Sequence, residues 1–188
     1  MKKLSNIWNT GFLYAVGGLI LYALFRFGKQ KKQIVNFDSK TYQKNLLAFL
    51  IAEEGIRNRV YKDQAGKDTI GIGHLIQPGE ERFLSVTLSP KEIEDLFFSD
   101  IAQTENTIRS LVKVPLNENQ KISLVSLVFN IGSTAFKNST LLKLLNDGDY
   151  NKASLEFPRW VYITLNGQKQ ISKGLQNRRF REQLLFNS

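Results

Sequence analysis

The chain has 188 residues, of which 42% are hydrophobic, and its 26 Lys and Arg against 17 Asp and Glu give a net charge of +9. This length and composition fit one globular domain with a small additional segment. The absence of cysteine excludes disulfides and thiolate metal ligands, and a single histidine excludes a multi-histidine metal site. The positive charge predicts attraction to a polyanion, for which nucleic acid, an anionic membrane and an anionic wall polymer are all candidates.

An apolar run without charges begins the chain. No charged side chain lies between Lys3 and Arg26, and residues 7–25 are dominated by apolar and small side chains. A membrane-spanning helix needs about 20 such residues, and aromatic residues near both ends of the run suit the membrane interfaces. We therefore predict a transmembrane or signal-anchor helix in residues 1–27, with lipid contacts through residues 7–27. A cleaved signal peptide and a buried core helix are the alternatives.

Positive charges flank this run on both sides. The larger group follows it, at Arg26, Lys29, Lys31 and Lys32. The excess weakly favours a cytoplasmic location for the C-terminal side. Residues 28–38 predict a short basic linker, and residues 39–188 predict the folded domain.

The predicted domain is mostly helical. Ser39 is a plausible N-cap of a first helix that Gly55 can end. Ser89, with Pro90 at the first helical position, predicts a second helix that extends to about Val112. Three further helices are predicted, in residues 117–132, 138–150 and 174–186.

The hydrophobic pattern changes from helical to alternating after Gly55. Residues 59–73 predict two short strands around a turn at residues 63–67. This is the single hairpin that we predict, because we interpret the polar residues 166–174 as a loop. The expected fold class is therefore α+β, mostly α.

Acidic and polar side chains concentrate around this hairpin. Glu54 ends the first predicted helix, Asp63 lies in the turn, and Thr69 opens the return strand. A helix end that faces a hairpin forms a cleft, and glycosidic cleavage needs a carboxylic acid on one wall and a group that holds water or stabilises the sugar cation on the other. Spacing alone does not distinguish Glu54 from Glu53, and both are also ordinary residues for a helix end.

The neighbours of Glu54 along the chain are apolar. We expect these side chains to favour the protonated form of Glu54; they are Leu50, Ile51 and Ile56.

This segment resembles the active-site segment of the bacteriophage-type lysozymes, glycoside hydrolase family 24. The family pattern is Glu-Gly, Tyr-x-Asp, a glycine, and Thr-Ile-Gly-x-Gly-His. Its counterparts here are Glu54-Gly55, Tyr61-Lys62-Asp63, Gly66 and residues 69–74. The similarity continues through residues 117–160 and 173–185, and it covers roughly residues 40–186.

The resemblance implies a lysozyme-like two-lobed domain, with a small β-hairpin lobe and a helical lobe. It implies a muramidase that cleaves the β-1,4 bond between N-acetylmuramic acid and N-acetylglucosamine in peptidoglycan. Glu54 would be the general acid, Asp63 would position water or stabilise the transition state, and Thr69 would hold the water. The glycine after Glu54 decides against Glu53. No cofactor, metal or nucleic acid is expected, and the catalytic domain is expected to be monomeric.

Four further residues are candidates for substrate binding. Phe129 and Asn130 match a family segment that lines the far wall of the cleft, and Asn130 either bonds an acetamido group or caps backbone. Gly73 leaves room for a sugar, and Arg159 is expected to touch the substrate.

Three other polar residues receive structural predictions. His74 is expected to pair with a carboxylate across the small lobe rather than to act as a base. Arg178 and Arg179 are expected to form a solvated basic face.

Peptidoglycan lies outside the cytoplasmic membrane, so a cytoplasmic domain would not meet it. We expect the catalytic domain in the periplasm as a signal-anchor endolysin, or in the internal membrane of a lipid-containing virion, or on a bacterial membrane as a wall-remodelling enzyme. The alternative function is a non-catalytic module that binds peptidoglycan or supports a virion membrane. A pore-forming holin would need more membrane helices and no globular domain.

Overall fold

The computed structural model describes residues 37, 39–63, 66–165 and 167–188. The predicted apolar helix of residues 1–27 lies outside the described residues, as does the predicted linker apart from Phe37. Among the helices of the described residues, none combines the length and the apolar content that a bilayer crossing requires. Residues from Val35 to Ser188 form one compact unit.

Helices make up most of this unit, as predicted. They are α1 (Lys40–Glu54), α2 (Pro90–Leu111), α3 (Glu118–Ile131), α4 (Ser133–Lys137), α5 (Thr140–Asn146), α6 (Tyr150–Ser154) and α7 (Lys173–Phe186). Two short 3₁₀ turns, Glu81–Leu84 and Phe157–Arg159, lie between them.

The predicted caps define where the long helices begin and end. The Ser39 side chain accepts a hydrogen bond from the first turn of α1, which ends at Gly55 with a φ of 74°. Ser89 and Asn117 each form a reciprocal capping box, at the start of α2 and of α3. Each cap satisfies backbone groups that a helix end leaves without an intrahelical partner.

A three-stranded antiparallel sheet follows α1. Its strands are β1 (Arg57–Lys62), β2 (Asp68–Gly71) and β3 (His74–Leu75), in the order β1-β2-β3. Tyr61 lies opposite Thr69 across the first pair of strands. The predicted hairpin is confirmed, and the short β3 strand extends it toward α2.

A second hairpin lies before α7, so the prediction of a single hairpin was wrong. Its antiparallel strands are β4 (Tyr162–Leu165) and β5 (Gln168–Ile171), and β5 lies within the predicted loop. The sequence carried the signal, because an Asn-Gly pair between two short runs is typical of a two-residue hairpin turn.

The core surrounds α3, which is buried from Ile122 to Val128 without interruption. It packs against α7, α2 and α1, which is why its sequence is apolar on nearly all sides rather than on one stripe. Trp160, which directly precedes the second hairpin, is partly buried against this core.

Candidate active site

A cleft of about 590 Å³ lies beside the C-terminal end of α1. Its walls come from the end of α1, from β3 with the turn before it, from the middle of α2 and from the end of α3. The lining includes Glu54, Gly73, His74, Asp100, Phe129 and Asn130. The fold therefore brings together the predicted acid and three of the four predicted substrate-binding residues.

Gly73 lies beside the Glu54 carboxyl in the cleft wall. It has a φ of 77°, and a Cβ atom added there would lie 3.6 Å from Oε2 of Glu54. Glycine therefore serves two purposes at this position. It adopts a left-handed backbone conformation without strain, and it leaves the space in front of the carboxyl open.

Arg178 of α7 contacts the same carboxyl from the other side. Its Nη1 atom donates to Oε1 of Glu54 at 2.5 Å. The side chains of Arg178 and Glu54 are 6% and 22% exposed. The apolar surroundings that we predicted for Glu54 are therefore wrong, because a guanidinium group faces its carboxyl oxygen.

A buried polar network holds Arg178 in place. Its Nη2 donates to the backbone oxygen of Ser126 at 3.0 Å, and its Nε donates to Oε1 of Glu182 at 3.1 Å. The neighbouring Arg179 donates to the same Glu182 oxygen at 2.9 Å. Burial raises the pKa of Glu182, while the two arginine charges act against that rise.

The predicted solvated basic face of Arg178 and Arg179 is consequently wrong, since both residues are buried. A buried charge must be paired, and Glu182 supplies the counter-charge at positions i+4 and i+3. This spacing on one helix was the local signal that sequence reasoning missed. The contact between α7 and Glu54 has no local signal, because 124 residues separate the two partners.

Glu53 is also held by α7 but lies outside the cleft. Arg181 binds both of its oxygens, with distances of 2.7 and 2.6 Å, and the Glu53 side chain is only 2% exposed. The geometry thus agrees with the choice of Glu54, since only Glu54 of the two lines the cavity.

Asp63 lies in the turn after β1 and Thr69 lies on β2, and neither lines this cavity. Oδ1 of Asp63 accepts from the backbone N–H of Lys67 at 2.8 Å, which fixes the turn. Thr69 is buried, and its hydroxyl donates to the carbonyl of Lys67 at 3.3 Å.

Tyr61 lies on β1, two residues before Asp63. Burial raises the pKa of the Tyr61 hydroxyl, and the negative charges of Glu54 and Asp63 raise it further. Thr69 sits opposite Tyr61 in the strand register.

His74 pairs with carboxylates on both ring nitrogens. Its Nδ1 lies 3.0 Å from both oxygens of Asp100 on α2, and its Nε2 lies 3.0 Å from Oε2 of Glu80. The expected pairing with a carboxylate is confirmed. Burial raises the pKa of Asp100, whereas the backbone N–H of Gln77, together with His74, lowers the pKa of Glu80.

Arg159 is the predicted residue that the fold does not bring to the cleft. It ends a 3₁₀ turn, is largely exposed, and lies 3.4 Å from Glu156. Its contact with substrate stays a prediction without support from the lining of this cavity.

Known proteins share both the sequence pattern and the fold. An endolysin from Acyrthosiphon pisum secondary endosymbiont phage 1 is 42% identical over 135 residues, which are 72% of this chain and 90% of that relative. A SAR-endolysin from Escherichia phage Mu is 40% identical over 146 residues, 78% of this chain and 81% of that relative.

A solved structure of a P22 lysozyme mutant superimposes with a TM-score of 0.65 at 37% identity. It covers 77% of this chain and 96% of the P22 chain. The family model described as phage lysozyme matches residues 52–182. Sequence and structure together show that this chain belongs to the phage lysozyme family.

Proposed function

We propose that this chain is a muramidase that cleaves the bond between N-acetylmuramic acid and N-acetylglucosamine in peptidoglycan, for phage-mediated host lysis. The observation that carries the proposal is the cleft in which Glu54, held by Arg178, faces the side-chain-free surface of Gly73. A glycan strand needs such an open groove, with an acid on its wall. Membership in the phage lysozyme family makes the chain a glycoside hydrolase.

The orientation of Glu54 suits a general acid. Arg178 binds Oε1, which leaves Oε2 beside Gly73. In its acid form Glu54 donates a proton to the departing glycosidic oxygen at this position. The contact with Arg178 orients the carboxyl, and the buried network behind the guanidinium keeps that orientation fixed.

Asp63 and Thr69 act on the other reaction partner. We assign to Asp63 the stabilisation of the positive charge that develops on the sugar, or the activation of the attacking water. The Thr69 hydroxyl holds that water. Support for both roles comes from the family motif, whose aspartate and threonine positions Asp63 and Thr69 occupy.

Phe129 and Asn130 form the sugar-binding part of the far wall. The phenyl ring offers an apolar surface to the face of a sugar ring, and the amide of Asn130 offers both a donor and an acceptor to an acetamido group. Gly73 completes this part of the cleft, because a side chain there would occupy the space of the sugar.

The test is the clearing of purified cell walls by residues 35–188. Glu54→Gln keeps the shape of the side chain but removes the proton donor, and we expect a loss of about 100-fold or more. Glu53→Gln makes the same chemical change at the neighbouring residue outside the cleft, and we expect clearing to persist. If the Glu54→Gln variant cleared walls as fast as the unsubstituted unit, Glu54 would not be the general acid. Absence of clearing by the unsubstituted unit would favour a non-catalytic peptidoglycan-binding module.

We also propose that residues 7–27 anchor the enzyme in the host inner membrane, with the catalytic unit in the periplasm. Two observations support this proposal. Residues 7–25 contain no charged side chain, and the similar protein of phage Mu is a SAR-endolysin. Residence in the internal membrane of a virion is the other arrangement that brings the enzyme to the wall.

Alkaline extraction of membranes tests the anchor. We expect the full chain to remain in the membrane fraction and residues 35–188 to be released. Protease added to intact spheroplasts should digest the catalytic unit of the full chain. Release of the full chain would contradict the anchor, and protection from protease would contradict the periplasmic side.

A further inference from the structure

The two strands of the hairpin β4–β5 have no buried side chain. All eight residues of its two strands are exposed, although four of them are large and apolar. The exposed fractions are 47% for Tyr162, 36% for Ile163, 49% for Leu165 and 55% for Ile171. Large apolar side chains that cluster at the surface mark an interaction site more often than a structural one.

The strand register places these apolar side chains on both faces. Tyr162 lies opposite Ile171, and Ile163 lies opposite Gln170, so successive residues of β4 point to opposite sides. An isolated two-stranded hairpin is marginally stable in water. A partner that covers one face would leave apolar side chains exposed on the other. A hairpin that is apolar on both faces is therefore stabilised more by an apolar medium that surrounds it.

The charge around the hairpin has one sign. No Asp or Glu occurs between Phe157 and Arg181 in the sequence. Two lysines in this stretch, Lys169 and Lys173, are exposed. The arginines of α7 are not available to bind an anion beside these lysines, because their guanidinium groups bind the glutamates described above. Lys169 lies 4.2 Å from the centre of the Tyr162 ring, so cationic and aromatic groups share one surface.

We propose that this hairpin surface, formed by Tyr162, Ile163, Leu165, Lys169, Ile171 and Lys173, binds the surface of an anionic phospholipid bilayer. Aliphatic side chains enter the boundary between headgroups and acyl chains, while tyrosine and lysine remain at the level of the headgroups. A hydroxyl-rich glycan would gain little from Ile163, Leu165 and Ile171. The charge of both lysines complements phosphate.

This inference goes beyond the proposed muramidase activity and does not depend on it. Lipid contact by the catalytic unit itself would hold the unit at the membrane independently of residues 7–27. No residue of the two strands lines the cleft that contains Glu54.

Vesicle flotation with residues 35–188 tests the proposal. This range omits the apolar run and forms one compact unit with its own core. We expect binding to vesicles of phosphatidylglycerol with phosphatidylethanolamine, and much weaker binding to phosphatidylcholine alone. Trp160 is the single tryptophan in this range and directly precedes β4, so its emission should shift on binding.

Paired substitutions identify the surface. Ile163→Ser with Leu165→Ser should weaken vesicle binding about tenfold or more, because two aliphatic side chains no longer leave water. The matched control is Leu84→Ser with Val86→Ser, which changes side chains of similar exposure, 46% and 38%, outside the hairpin. We expect the control to bind as the unsubstituted unit does.

A second pair tests the charge. Lys169→Gln with Lys173→Gln should remove most of the preference for anionic vesicles, whereas Lys137→Gln with Lys143→Gln, two exposed lysines of α4 and α5, should retain it. Added salt should weaken the binding of the unsubstituted unit and of the control, and should have little effect on the hairpin variant.

Several results would overturn the proposal. Equal vesicle binding by the hairpin and control variants would exclude the hairpin as the lipid-binding surface. Binding to purified walls but not to vesicles would identify a glycan as the occupant, and a hairpin-dependent dimer without lipid binding would identify a second copy. Glu54→Gln should abolish clearing and leave vesicle binding unchanged, so failure of the muramidase proposal and failure of this one give different results.

Discussion

Gly73 connects backbone conformation with chemistry at a single residue. Its positive φ disfavours most side chains on steric grounds, and its position beside Oε2 of Glu54 is the functional reason that we propose. The two reasons can be separated, because Gly167 at the tip of the second hairpin has almost the same φ, 76°, and no heavy atom within 4 Å of an added Cβ.

We predict that Gly73→Ala and Gly167→Ala lower the free energy of unfolding by a similar amount, about 1–2 kcal/mol each. Only Gly73→Ala should reduce wall clearing, by about tenfold or more, since its methyl group displaces the sugar from Glu54. Urea denaturation and a clearing assay measure the two effects. Equal clearing by both variants would show that the space beside Glu54 is not used by substrate.

The carboxylates around His74 respond to acid in opposite ways. The pKa of Glu80 is lowered, first by the backbone N–H of Gln77 and then by His74. Ionised Glu80 therefore stabilises the fold above its ordinary pKa of 4.5, and this contribution disappears as the pH falls through the lowered value. Burial raises the pKa of Asp100 above 3.8, so its ionisation costs stability as the pH rises through that raised value.

We predict that Glu80→Gln destabilises the unit most above pH 4.5 and that the difference from the unsubstituted unit shrinks below that pH. Denaturation midpoints measured across acidic pH values test this. Glu94→Gln, the same change at an exposed glutamate of α2, is the control variant. A constant difference for Glu80→Gln would mean that its ionised form makes no special contribution.

Among the elements, α2 shows how a few residues set a boundary. Ser89 accepts from the backbone N–H of Glu92, the Glu92 side chain accepts from the backbone N–H of Ser89, and Pro90 begins the helix. The helix carries Asp100, the partner of His74. Its start therefore determines the register at which α2 meets the small sheet.

We predict that Ser89→Ala lowers the free energy of unfolding by about 1 kcal/mol, because the N-terminal N–H groups lose their acceptor. Ser110→Ala, the same change near the other end of α2, should cost less than about 0.5 kcal/mol. Both are measured by urea denaturation at neutral pH. A Ser89→Ala variant as stable as the Ser110→Ala variant would show that the cap contributes little.

Elements with local signals were predictable, and contacts between distant elements were not. Caps defined α1, α2 and α3 correctly, and the alternating pattern identified β1 and β2. The second hairpin was missed because residues 166–174, which include β5, are mostly polar, although its Asn-Gly turn was visible. For the site, the motif identified Glu54 and Gly73, but Arg178 was assigned to the surface. Its burial depends on the packing of α7 against α3, which no short sequence window contains.

For the whole molecule, the position of the charges along the chain determines where a polyanion is attracted, and the net charge does not. Six of the 26 Lys and Arg and none of the 17 Asp and Glu lie in residues 1–34. Residues 35–188 therefore carry 20 cations against 17 anions, so their net charge is +3 rather than +9. The attraction to polyanions that composition predicts belongs mainly to the segment before the catalytic unit.

We predict that wall clearing by the full chain decreases more steeply with ionic strength than clearing by residues 35–188. The slope of log rate against ionic strength should be roughly two- to threefold larger, because salt screens the attraction between a cationic protein and an anionic wall. Both forms are assayed in the same non-ionic detergent, so that the detergent required by the apolar run of the full chain is present in both assays. Replacing Lys29, Lys31 and Lys32 by glutamine in the full chain should bring its slope toward that of the unit. Parallel slopes for all three proteins would place the salt-sensitive contact on the catalytic unit instead.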